Sequence, residues 1–358
     1  MRWKNILSWS KTRKAMSIEW SALRMVWRHG RPTTVLHFLG GLGDELLLTC
    51  VARELKRRNA KHRIWQISAA ESLLRGNPDY TLALGSEHWS LRHSNVLERW
   101  RVRLSYAEQV LPGVYDVPPR EHILAILCRK AGIRGCVKLR PWFHQTRIES
   151  AAGRIAQRQI SIQSVGRGTH ETWMLNKTWF HERFQEVVDV MKKECPGLLV
   201  IQLGSGGDFP LDGVMDLRGK TSLRETAAIL GCSACFVGTS GLLVHLARAV
   251  DCRSVVIYGG REHSWQSGYC CNENLDSQLS CAPCWLWNDC DYERDCMRRI
   301  SAAQVVAAVE RLLARAGGAL ELEVDEAMID EDGVHAEPKT TARVPGARIR
   351  ARHTPFDS

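Results

Sequence analysis

Short apolar runs alternate with stretches of helical period along most of this chain, and the alternation starts twice. TVLHFL at 34–39 reads as a buried strand, the glycines of GGLG follow, and a helix is expected from about Asp44 to Arg58. HRIWQIS at 62–68 is the next strand. Strand, glycine turn, helix and strand together imply a parallel sheet, because the helix carries the chain back to the edge where the first strand began. Residues 69–150 mix helical patterns with loops, and YAEQVLPGVYDVPPREH at 106–122 is an irregular, proline-containing interval.

The pattern begins afresh at RQISIQSVG, 158–166. LLVIQLG (198–204), CFVGT (235–239) and RSVVIYGG (253–260) read as further strands, with SLRETAAILGC and SGLLVHLARAV as helices between them. KTWFHERFQEVVDVMKKECPG places Phe180, Phe184, Val187, Val188 and Met191 at helical spacing and closes on Pro196 and Gly197. Two α/β units with parallel sheets are predicted, at 33–157 and 158–316, with ligands at the carboxyl ends of the strands and in the crevice between domains. Residues 1–32 form a basic leader. Residues 317–358 join an acidic run, ELEVDEAMIDED, to a Pro/Arg/Thr-rich end, and read as a disordered tail.

Lys and Arg exceed Asp and Glu by 49 to 39, a net charge of +10 that attracts nucleic acid, lipid headgroups or phosphorylated substrates alike. The first 34 residues hold eight of the cations against Glu19 alone, interleaved with Trp3, Trp20 and Trp27. Such a segment suits an anionic membrane surface. It equally suits a helix packed on the protein or a loose leader. It lacks the continuous apolar core of a signal peptide, and nothing in the chain is apolar for long enough to span a bilayer. With so much of the excess in the leader, and no reading helix or aromatic sheet, a nucleic-acid partner is disfavoured.

Thirteen cysteines without an export signal suggest a reducing compartment, hence a cytoplasmic chain with thiols or metal ligands. Cys232 and Cys235 form a C-x-x-C, but GCSACFVG reads as a helix end running into a buried strand. Cys281, Cys284, Cys290 and Cys296 are different. Four thiolates within one loop at 281–297 could hold a structural zinc or iron, and four sulfur ligands would leave no open position for chemistry. Two disulfides or reduced thiols would also satisfy that spacing.

Asp44 poses the central question. Behind Gly40, Gly41 and Gly43, it is well placed to cap a helix. On that stretch alone the cap is the simpler reading. Ser240 and Gly241 lie at a strand-to-helix turn whose amides can bind an anion. His245, about a turn later, could hydrogen-bond a phosphate or pack inside the domain. Lys177, read as opening the helix of KTWFHERF, opposes the helix dipole unless an anion joins it.

Taken in order, GGLGDELLLT, GNPDY, NKTWF, LRGKTSLRETAAIL, GTSGLLVHLARAV, VVIYGG and CAPCW…CM resemble the family-nine glycosyltransferases, the bacterial heptosyltransferases, over roughly residues 33–314. The resemblance implies a GT-B fold: two Rossmann-like domains facing across a cleft, the first holding the acceptor and the second the activated sugar. It implies inverting transfer, without a catalytic cofactor, from a nucleotide-diphosphate sugar such as ADP-heptose to a lipopolysaccharide core or related glycan, near the inner face of the membrane. Asp44 falls where the family places its general base, on a loop with Gly41 and Gly43. Lys177, Ser240, Gly241 and His245 fall around the donor diphosphate, Thr221 beside the base and Asp208 near the ribose. Two departures stand out. Thr239 occupies a position where many relatives carry an acid, and His245 follows Gly241 by four residues rather than three. A protein or capsular glycan as acceptor, or a nucleotide- or glycan-binding homologue without activity, are the competing expectations.

Overall fold

The computed structural model describes residues 2–38, 40–106, 118–164, 174–288, 290–315, 325–330 and 334–335. A long helix, α1 (Arg2–His29), leads into β1 (Thr34–Phe38), α2 (Leu42–Arg58), β2 (Ile64–Ile67) and β3 (Leu82–Leu84). Then come α3 (Asn95–Glu98), β4 (Arg101–Leu104), α4 (Ile123–Lys130), β5 (Gly135–Lys138) and α5 (Arg147–Ala152). The second half runs β6 (Gln159–Ile162), α6 (His181–Glu194), β7 (Leu199–Gln202), β8 (Met215–Asp216), α7 (Leu223–Cys232), β9 (Phe236–Thr239), α8 (Leu242–Ala249) and β10 (Ser254–Tyr258). It ends with α9 (Ser264–Ser267), β11 (Glu273–Asp276), α10 (Asp295–Arg298), α11 (Ala302–Ala314), β12 (Glu326–Ile329) and β13 (Val334–His335).

The expected pair of parallel sheets is present, in the orders β3-β2-β1-β4 and β11-β10-β9-β6-β7-β8. Within each, the chain starts in the interior and winds outward in both directions. Connections on the two sides of β1 and of β6 therefore diverge, opening a crevice at the carboxyl end where the order reverses. In the first sheet that point lies between β1 and β4, in the second between β6 and β9. These two points build the site.

Burial explains why the sequence settles this way. Leu46, Leu47, Leu48, Cys50 and Val51 of α2 are almost wholly excluded from solvent and pack in one cluster with Leu36 and Phe38 of β1 and Val244 and Leu246 of α8. One apolar core thus spans both domains and brings the starts of α2 and α8 together. A β-carbon at Gly43 would lie 3.5 Å from the Leu242 Cα, so the two helix starts are in contact distance of each other. A second core, with Trp179, Phe184, Val188, Val255 and Val309, belongs to the second domain alone.

Three expectations need correction. Lys177 does not open the helix of KTWFHERF; it closes a single 3-10 turn at Leu175–Lys177, and α6 begins at His181. The reason is Trp179, buried to 1 % exposure with its indole N–H donated to the Ile300 carbonyl, which holds Thr178 and Phe180 extended. The stretch read as a tail is not uniformly without structure. β12 pairs antiparallel with β5, and its alternation (Ala327 and Ile329 in, Glu326 and Met328 out) is that of a half-buried strand. The rest of 317–358, apart from residues 325–330 and 334–335, lies outside the described residues, as do 107–117 of the irregular interval. Finally, the leader is one helix whose second half packs on the first domain. Ala22 is buried with Val35, Trp65 and Leu97, and the Glu19 carboxylate accepts from Ser94 Oγ and the Asn95 and Val96 amides.

Candidate active site

The glycine turn after β1 delivers Asp44 to the third position of α2. Its Oδ2 accepts the Gly41 N–H at 2.8 Å, and its Oδ1 accepts the Tyr106 hydroxyl at 2.7 Å. Tyr106 follows β4, so the pair is formed across the reversal of strand order in the first sheet. The side chain therefore serves as a cap for α2, and its second oxygen is turned to Tyr106. Burial raises the Asp44 pKa above the usual aspartate value, and the nearby Glu262 adds to this. The Tyr106 hydroxyl, the Gly41 amide and the charge of Lys177 pull the other way without cancelling it. A carboxylate made more basic by desolvation is suited to take a proton from a hydroxyl.

Opposite it stands a cluster from the second domain. Lys177 Nζ lies 3.1 Å from Glu262 Oε1, with the side chains 19 % and 10 % exposed. Burial, the largest influence, pushes Glu262 upward, but Lys177, the Ser240 hydroxyl and His245 outweigh it and hold the carboxylate below its usual range. Gly241 is the N-cap of α8, and a β-carbon there would meet nothing within 4 Å. The turn before α8 is thus open at Gly241, where a phosphate could approach the backbone, while the Leu242 amide lies beside Gly43. His245 is buried, and its Nδ1 lies 2.7 Å from the Tyr269 hydroxyl. Desolvation lowers its pKa to about 4, so at neutral pH it offers a hydrogen bond and no charge.

That depression has a thermodynamic consequence. An unfolded histidine binds protons from about pH 6.5, the folded one only near 4, so the unfolded state carries more protons through that interval. The contribution is complete above pH 6.5 and falls by about 3 kcal/mol on acidification to pH 4. His37, in the first sheet, is lowered to about 4 as well, by burial first and then by Arg92, Arg101 and Arg103. Thermal melts should therefore drop steadily between pH 7 and 5, and less steeply in His245→Asn. A melting temperature indifferent to pH over that range would contradict the burial of both rings.

Asp44, Lys177, Ser240, Gly241 and His245 are thus gathered at one place, with Gly41 and Gly43 forming the turn that positions Asp44. Asp208 and Thr221 are used differently. Asp208 is 3 % exposed, its oxygens taken by Ser205 N and Oγ and by Gln163 Nε2, so its carboxylate organises the loop after β7. Thr221 bonds Thr226 at 2.9 Å and lines a cavity of about 470 Å³ with Glu149, Ile155 and Arg224. Tyr106, Glu262 and Tyr269 were not foreseen. For Glu262 a signal existed: it follows the glycines that end β10, on the same sheet edge as Ser240.

The four loop cysteines draw near one another. A β-carbon at Gly260 would lie 3.0 Å from the Cys296 sulfur and 3.5 Å from that of Cys284. Burial first, then the proximity of Cys281 and Cys290, raises the Cys284 thiol. All four thiols are free, and among the described residues no three His, Cys, Asp or Glu side chains stand close enough to share a metal ion. As placed, the loop is a thiol cluster and not a formed metal centre.

Residues 157–286 match the family model described as glycosyltransferase family 9 (heptosyltransferase). Among solved structures, E. coli ADP-heptose lipopolysaccharide heptosyltransferase II aligns at 15% identity over 80% of this chain and 100% of that one, TM-score 0.59. A family 9 glycosyl transferase from Veillonella parvula aligns at 13% identity over 79% and 97%, TM-score 0.57. The iron-containing dodecameric glycosyltransferase TibC of enterotoxigenic E. coli aligns at 18% identity over 79% and 77%, TM-score 0.60. No curated protein sequence matches the chain. The fold is that of the GT-B class, and the family match covers residues 157–286, within the second α/β unit for nearly all its length. Of the motifs read from about residue 33 to 314, those between 157 and 286 fall within the matched stretch, which is similar to the family 9, heptosyltransferase type.

Proposed function

We propose that this enzyme transfers a sugar, heptose foremost, from a nucleoside-diphosphate sugar such as ADP-heptose to a hydroxyl of a lipopolysaccharide core or related glycan, with inversion at the anomeric carbon. The observation that carries the reading is Asp44: a carboxylate made more basic by burial, near Lys177 and the open turn at Gly241. In the single step, the acceptor oxygen bonds to the anomeric carbon as its proton passes to Asp44. The bond from that carbon to the diphosphate oxygen breaks at the same time. The electron pair leaves with the nucleoside diphosphate, whose charge meets Lys177, the amides at Ser240 and Gly241, and His245 as a neutral donor. The ADP-heptose chemistry of the aligned E. coli enzyme supports the donor. Proton NMR of the freshly formed linkage is the test. Inversion relative to the donor is expected, and retention would rule out direct displacement assisted by Asp44.

The cysteine loop takes no part in this step. Its four neighbouring cysteines, which as placed do not bring three ligands within reach of one ion, together with the iron-containing TibC among the aligned structures, support a structural clip that zinc or iron would draw closed. Protein purified without chelator should carry about one such metal per chain, and Cys284→Ser should lose the metal and several degrees of melting temperature with little change in kcat. Full stability in metal-free protein would dismiss the clip.

A further inference from the structure

The first helix has two faces, and only one is explained by folding. Glu19, Ala22, Met25 and Val26 turn toward the first domain. Met16, Trp20, Leu23 and Trp27 turn away and are 56, 69, 47 and 88 % exposed. At 3.6 residues per turn these four fall within an arc of about 60°, so they form one stripe rather than scattered surface residues. Arg13, Lys14, Arg24 and Arg28 are exposed along the adjoining flank. From Arg13 to Arg31 the segment holds five cations and one acid, and that acid, Glu19, is engaged with the start of α3.

We propose that this face docks on an anionic lipid surface, lying in the plane of the interface. The charge pattern selects that occupant: tryptophans at the boundary of a bilayer, with arginines beside them reaching headgroup phosphates, are how an interfacial helix is held. Crossing is excluded, since no helix among the described residues is long and apolar enough. An acceptor carried by a lipid would then be presented to a protein already held at the surface. This inference stands apart from the transfer chemistry, and its test does not require turnover.

The full chain is mixed with vesicles of phosphatidylcholine alone or with one third phosphatidylglycerol, and floated on a gradient. Binding is expected only with the anionic lipid, accompanied by a blue shift of tryptophan emission, and weakening as salt is raised. Trp20→Ala/Trp27→Ala should bind at least about thirtyfold more weakly, while a charge-reversed Arg24→Glu/Arg28→Glu variant should lose binding without altering the melting temperature. Equal binding to neutral vesicles, or unchanged binding by both variants, would overturn the proposal. So would sedimentation showing a wild-type dimer that Trp27→Ala dissociates, because the stripe would then be a contact between copies of the chain.

Discussion

Asp44→Asn is expected to lower the rate of transfer by about a thousandfold, within the range a positioned general base supplies, while donor affinity changes little. The substitution separates the two duties of this residue. An asparagine oxygen still accepts the Gly41 N–H, so the start of α2 stays capped. Its amide group can donate to the Tyr106 oxygen in place of accepting, which preserves that contact as well. Only the lone pair that takes the proton is gone. Asp44→Ala should be equally slow but should also melt lower, by the stability a lost cap represents, about 1 kcal/mol. Donor titrations followed by single-turnover rates check both. A rate within tenfold of wild type in Asp44→Asn would leave the residue as a cap alone.

Lys177→Met is expected to act on rate and stability together. Removing the cation from the leaving diphosphate should cost about a hundredfold to a thousandfold in kcat, the effect of losing one preorganised charge-stabilising donor. The same change strands Glu262, buried beside the Ser240 hydroxyl, without its counter-ion. Breaking such a pair by deleting one partner costs about 3 kcal/mol or more unless the remaining carboxylate takes up a proton. The double variant Lys177→Met/Glu262→Gln divides the two effects, since the neutral amide no longer demands a cation. Its melting temperature should recover while its kcat does not. Recovery of both would mean that Lys177 serves only to neutralise Glu262, and the diphosphate would need a different counter-charge.

The interior parallel strands were legible because they are buried on both faces and read as largely apolar runs, as TVLHF and SVVIY do, whereas β3, β4, β8 and β11, short and partly exposed, gave no such run. Individual candidate residues stood out where a local rule made them odd, as with an acid behind three glycines or a small-residue turn before a helix, while Lys177 stood out on a helix start that the structure moves to His181. What escaped depends on distant partners. Tyr106 lies in an interval with no periodicity, and its value comes from the pairing of β4 with β1, which sets it opposite Asp44. Glu262 looks like any loop acid until Lys177 and Ser240 close around it. Asp208, placed near the ribose by the resemblance alone, has both oxygens turned to Ser205 and Gln163, contacts that no local pattern announces. The leader left three readings open, a membrane-facing segment, a packed helix or a loose leader, and the packing of Ala22 with Val35, Trp65 and Leu97 bears out the second for one face of α1.

The central claim is proton transfer to Asp44 coupled to sugar transfer. The most direct measurement is acceptor-dependent release of nucleoside diphosphate from ADP-, GDP-, UDP- and dTDP-sugars with a lipid-A-core acceptor, by wild type and Asp44→Asn at matched donor saturation. The account predicts turnover with ADP-heptose that collapses in the variant while the donor still binds. Tight nucleotide binding without turnover on any donor, or turnover indifferent to Asp44→Asn, would contradict it.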